Sequence, residues 1–162
     1  MAIIFTWPIT NMFLHQCFYT QWLTGALEIT LYSGSQPSAA DVTANYFTYA
    51  SQSLVHWTGA SWITPTTPDS TTEIAQFMTL NIPLAKTAFR SGTANWAILW
   101  GSSSAASVTE AQAQFGPLPL DIFVIVPVTA SGGKGVVKMT TTTITSGSSY
   151  QPTDVTIRVG LV

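Results

Sequence analysis

Charge is what this sequence has least of. Asp, Glu, Lys and Arg make up 7% of its 162 residues against 46% hydrophobic, where a soluble domain usually carries roughly a quarter charged residues. Three arrangements reconcile so little charge with a folded chain: burial in a membrane, coverage of the surface by copies or partners, or a polar surface built from Ser, Thr, Gln and Asn. A spanning helix needs about 20 consecutive apolar residues. No run reaches that length, and the richest stretch, Leu118 to Val128, is broken by Pro119, Asp121 and Pro127. No membrane partner is expected. The hydroxyl-rich tracts Thr64 to Thr72, Ser102 to Ser107 and Thr140 to Ser149 supply part of a polar surface. With 12% aromatic residues, six of them Trp, coverage by neighbours takes most of the weight.

The other scarcities exclude chemistry. Five basic residues, Lys86, Arg90, Lys134, Lys138 and Arg158, are scattered in a chain of net charge −2, so the clustered positive charge that nucleic acid demands is missing. Cys17 stands alone, which rules out an internal disulfide framework and a cysteine-based zinc site; it reads as a small buried hydrophobe. Two histidines, His15 and His56, build no HExxH helix, and a buried or capping role suits them better. There is no G-x-S-x-G elbow. Ser131 to Gly135, SGGKG, lacks the spacing of a phosphate loop and reads as a turn. The seven carboxylates, Glu28, Asp41, Asp69, Glu73, Glu110, Asp121 and Asp154, include no near-sequence pair at metal or glycosidase-like spacing. Asp41 in SQPSAAD brackets its loop through backbone N–H bonds. The reading is therefore non-enzymatic, with no cofactor and no metal. The amino terminus, MAIIFTWPITN, has no basic n-region and no cleavage motif, and the chain has no Asn-x-Ser/Thr sequon, so synthesis in a cytosol is expected.

What is present is strand grammar. In Gly25 to Asp41, Leu27, Ile29 and Leu31 alternate with Glu28, Thr30 and Tyr32, the pattern of a strand with one apolar and one wet face. Ser33, Gly34 and Pro37 end it. Before it, Ala2 to Trp7 is a short apolar arm closed by Pro8. Phe13, Leu14, Cys17, Phe18 and Trp22 then recur at helical spacing over Asn11 to Leu23, between an N-cap at Thr10 or Asn11 and Gly25 beyond the end. Further strands are expected over Ala44 to Trp57, over Met78 to Leu84, and around Trp96, Ile98 and Trp100 in an inward register. Leu120 to Val128, Gly135 to Ile144 after a Gly132–Gly133 hairpin turn, and Val155 to Leu161 complete the set. The sum is one domain: residues 1–24 as arm and helix, and residues 25–162 as an antiparallel β-sandwich with jelly-roll or immunoglobulin-like connections. Parallel βαβ winding finds no support.

A helix followed by ALEITLYSGSQP, then GTANWAILW, LDIFVIVPV and TTTTITSG, resembles a group of small virion structural proteins of tailed bacteriophages. The resemblance implies a non-enzymatic virion component made in the host cytoplasm, and it transfers no binding residues. Its partners would be copies of itself and virion proteins such as the major capsid protein. The favoured role is a capsid decoration or cement protein acting as a homo-oligomer; the alternative is a tail, collar or fibre-attachment protein. A carbohydrate-binding β-sandwich module is the second alternative, with Trp57 and Trp62 beside a loop as stacking platforms. Assembly contacts are expected at Ile3, Ile4, Phe5, Trp7, Phe13, Phe18, Trp22 and Trp62, because an uncharged arm and helix are segments that a neighbour can cover.

Overall fold

A computed structural model of the chain describes residues 27–44, 49, 51–63, 74–81, 84–101, 122–133 and 135–160. The strands are β1 (Leu27–Tyr32), β2 (Ser53–Ile63), β3 (Ile74–Asn81), β4 (Lys86–Thr87), β5 (Gly92–Thr93), β6 (Trp96–Gly101), β7 (Ile122–Ala130), β8 (Val137–Met139), β9 (Thr143–Ile144), β10 (Ser149–Tyr150) and β11 (Pro152–Gly160), with one short helix, α1 (Ala39–Ala44). The protein is mainly β. Seven strands form one curled sheet in the order β1-β2-β3-β11-β8-β7-β6, and β6 pairs back on β1 to close it. The expected jelly-roll or immunoglobulin-like sandwich needs two sheets with separate edges. Here the seven-strand ladder is continuous, so none of its strands is a terminal one. The expected amino-terminal helix, Asn11 to Leu23, lies outside the described residues.

All neighbours in the barrel are antiparallel except β7 and β8, which run parallel through Val128↔Val137 and Ala130↔Met139. The Gly132–Gly133 segment does turn, with Gly132 at φ 90° and Gly133 N–H donating to Ala130 O at 3.0 Å. It does not open the hairpin read from the sequence. The chain folds back only as far as Pro127, where Val136 N–H donates to its carbonyl at 3.1 Å, and then reverses again into β8. Glycine permits this double reversal. A Cβ on Gly135 would sit 2.8 Å from the Thr129 side chain and 3.0 Å from Pro127 O. The expected long strand Gly135 to Ile144 is accordingly divided into β8 and β9.

Other boundaries shift for local reasons. Residues 39–44, read as loop up to Asp41, form a helix, because Ser38 and Asp41 make a reciprocal cap. Ser38 Oγ accepts from Asp41 N–H at 3.1 Å while Asp41 Oδ2 accepts from the Ser38 hydroxyl at 2.6 Å and from its backbone N–H at 3.3 Å, the arrangement of a capping box. Asp41 thus brackets its loop as expected. The strand read over Ala44 to Trp57 begins at Ser53, and the one read over Met78 to Leu84 ends at Asn81, before Pro83. Leu84, assigned to an inward position, is 83% exposed.

Two apolar clusters hold the wall of the barrel. Inside, Ile29, Leu31, Val55, Trp57, Ala97, Leu99, Val126 and Val128 pack with Val137, Met139 and Val155; each large side chain buried this way contributes roughly 1.5–3 kcal/mol. Outside, Tyr32, Val42, Trp96 and Ile98 form a second cluster joined by Tyr49. Trp96 and Ile98 therefore face outward, while Ala97 and Leu99 fill the interior, the reverse of the register read from the sequence. Small side chains suit the curved inner face. Tyr32 and Trp96 are cross-strand partners stacked at 4.2 Å, Tyr49 meets Trp96 edge-on at 5.7 Å, and Trp96 Nε1 donates to Ser33 O at 3.0 Å.

At the end of the barrel where β1 finishes, two small ladders gather: β5 pairs with β9 and β4 with β10. Arg90 ties this end to the wall by donating to Ser53 O and Oγ at 3.2 and 2.9 Å.

Candidate functional site

The face of β1 read as wet is fully covered. Glu28 is 2% exposed, Thr30 and Tyr32 are 0%, and β2 supplies the polar partner of Glu28 and Thr30. Thr30 lies directly opposite His56 in the antiparallel register. One step along, the ladder slips: Ile29 faces Trp57 but Leu27 faces Ala60, so β2 accommodates an extra residue opposite Glu28. Such a bulge adds twist and re-aims the neighbouring side chains. The result is a chain of three polar groups on the outer wall. His56 Nδ1 lies 2.8 Å from Thr30 Oγ1, and its Nε2 lies 2.7 Å from Glu28 Oε2. The second contact is short but lies off hydrogen-bond alignment.

Hydroxyl, imidazole and carboxylate in this order are the parts of an activated nucleophile with its base and orienting acid. The setting gives them another use. With the Thr30 hydroxyl fully buried and His56 only 7% exposed, no substrate reaches the oxygen in this conformation. What the geometry does provide is mutual satisfaction of polar groups that would each be costly to bury alone. It also locks the β1–β2 register, because a shift of one residue would turn Glu28 and Thr30 into the apolar interior.

Sequence reasoning placed His56 in a buried role, and the structure agrees. It missed Glu28 and Thr30, which it turned toward solvent. The available signal was that β1 and β2 each carry a polar residue at the phase that faces away from their Ile, Leu, Val and Trp positions.

The expected interface residues Ile3, Ile4, Phe5, Trp7, Phe13, Phe18 and Trp22 lie outside the described residues. Trp62 lies in β2, opposite Leu80 of β3, at a distance along the strand from His56. Trp57, a proposed stacking platform, is 0% exposed at the centre of the interior cluster and is corrected to a core residue. Among the described residues no three His, Cys, Asp or Glu side chains group as a metal site, and no helix is long and apolar enough to cross a membrane. Compared with protein-family models, with curated proteins and with solved structures, the chain finds no match in any of the three.

Proposed function

We propose that this chain is a non-enzymatic structural component of a virion, in the first place a capsid decoration or cement protein that works as an oligomer seated on a shell. One observation carries the reading. Among the described exposed residues, only Asp41, Lys86 and Arg90 are charged, and the rest are chiefly Ser, Thr, Gly and Ala. A surface so neutral has little self-repulsion to keep copies apart, which suits a protein crowded at high local density. The closed seven-strand ladder supports the same reading, since it has no terminal strand to invite uncontrolled growth and contacts would run through loops and faces. Leu84 is the sole large hydrophobic exposed among the described residues, so the apolar part of the contact is assigned to the amino-terminal arm and helix, Ala2 to Leu23. A tail, collar or fibre-attachment role in the virion is the alternative within the same class.

The test is assembly. Light scattering on the purified chain should give a defined oligomer, and sedimentation with phage shells lacking the protein should carry it down at a fixed ratio. Deleting the residues before Asn11 should abolish that binding while the circular dichroism of the barrel is kept. A monodisperse monomer that ignores every shell tried overturns the reading, and full occupancy by the truncated chain moves the interface away from the arm.

A further inference from the structure

A second site lies at the opposite pole of the chemistry, on the loop-rich end of the barrel where the last third of the chain folds over β8. Here an open groove of about 600 Å³ runs between the end of β8 and the β10–β11 corner, a size within the usual range for small-molecule sites. Its inner side is apolar: Met139 and Pro152 are buried beneath it, and Tyr150 is half-buried with its ring packed on the core cluster. Its rim is polar and exposed, built from Thr140, Thr141, Gln151 and Thr153. We propose that this groove binds a neutral saccharide, stacked on Tyr150 and held by the surrounding hydroxyl and amide groups. The inference is independent of the virion reading, since it uses none of the residues assigned to assembly.

The lining selects the ligand class. Among the described residues no charged side chain lines the groove, so they offer neither an anion nor a metal ion its counter-charge. The adjacent Lys138 and Asp154 are engaged with each other at 2.8 Å, and Thr156 donates to the second Asp154 oxygen at 2.8 Å. Lys86 stands opposite Tyr150 on β4 and is not part of the lining. A peptide added as a strand is the competing occupant that the titration below separates, since among the described residues β10 pairs only with β4 and the start of β11 only with β8. A sugar ring matches the lining, because it presents C–H groups on one face and hydroxyls around its edge, the complement of an aromatic floor with a polar rim.

The groove is also pre-set. The Tyr150 hydroxyl accepts from Thr145 N–H at 2.8 Å, which fixes the ring. Thr153 donates to Lys138 O at 3.1 Å and lies 3.2 Å from Ser131 Oγ, which leaves it acceptor capacity, whereas Thr141 Oγ1 accepts from Thr143 N–H at 3.1 Å and keeps its proton to donate. The rim thus offers both halves of the hydrogen-bonding code that neutral polyols require, and little rotamer freedom is left to lose on binding.

The test is a nuclear magnetic resonance titration of the full chain with a panel of neutral oligosaccharides: maltotriose, cellotriose, lactose and N,N′-diacetylchitobiose. Sialyllactose serves as the anionic control and a neutral Gly-Ser peptide as the polymer control. At least one neutral sugar should shift the amides of residues 139–141 and 149–153, with an affinity unchanged by salt. Tyr150→Leu should weaken it roughly fivefold. Because Tyr150 also packs on the core, Gln151→Ala, an exposed change, provides the second variant and should weaken binding roughly threefold. The proposal is overturned if no neutral sugar shifts these amides, if only sialyllactose binds and does so in a salt-dependent way, if the peptide binds instead, or if a sugar binds with Gln151→Ala and Tyr150→Leu both without effect.

Discussion

Replacing His56 with alanine removes the middle member of the Glu28–His56–Thr30 chain and puts the buried network to its most direct test. Two groups lose a partner at once: the Glu28 carboxylate, 2% exposed, loses the ring nitrogen at 2.7 Å, and the Thr30 hydroxyl, 0% exposed, loses the one at 2.8 Å. Stranding the buried carboxyl group costs about 3 kcal/mol, and orphaning a neutral hydroxyl adds about 1 kcal/mol. A loss of about 4 kcal/mol is therefore expected. A domain with about 5–15 kcal/mol to lose stays folded or nearly so. For a urea slope of about 2 kcal/mol per molar, the midpoint should fall by about 2 M with the slope unchanged. Adding Glu28→Gln to His56→Ala removes the stranded charge, and should restore at least about 1 kcal/mol relative to the sum of the single changes. The reasoning fails if His56→Ala lowers the midpoint by less than about 0.5 M, or if the two changes add to within about 0.3–0.5 kcal/mol, because either result means that the three groups do not depend on one another.

Three further outcomes follow from particular contacts. Gly34→Ala should lower the melting temperature more than Gly147→Ala: both sit at positive φ, 82° and 83°, but a Cβ at Gly34 meets Gln52 Oε1 at 2.7 Å whereas one at Gly147 meets nothing within 4 Å. The strain common to both is about 1–2 kcal/mol, and equal shifts would show that the Gln52 contact is relaxed without cost. Trp96→Phe keeps an aromatic ring against Tyr32 but deletes the 3.0 Å bond to Ser33 O, so chemical denaturation should register a loss of about 1–3 kcal/mol from the stranded carbonyl and the reduced contact area. Lys138→Ala breaks a pair whose side chains are 26% and 31% exposed, and its cost in the same assay should stay below about 1 kcal/mol and shrink further as salt is added.

What the sequence determined by itself is local. The two-residue alternation of Leu27, Ile29 and Leu31 made β1 a strand whichever strands became its neighbours, because backbone pleating sends successive side chains to opposite faces. The Ser38 and Asp41 spacing carried the bracket that caps α1, the Ser-Gly-Gly run carried a turn, and the scarcity of charge carried through to an exposed surface of hydroxyls. Tertiary structure decided everything that depends on which strands meet. The polar residues of β1 are buried, and pairing with β2 brings His56 beside Glu28 and Thr30; the polar phase of each strand is legible locally, but that these two strands meet is not. Trp96 and Ile98 point outward into the Tyr32–Val42 cluster while Trp57 fills the interior, because the long-range strand pairing, not the strand's own pattern, sets which face of each strand becomes the inside. Gly132 and Gly133 promised a hairpin, yet the chain turns a second time and lays β8 parallel, passing so close over Thr129 of β7 that only glycine fits at 133 and 135. A pattern read along one strand reports the faces of that strand. What covers each face is set by long-range pairing, where partners far apart in sequence meet and burial is shared between them.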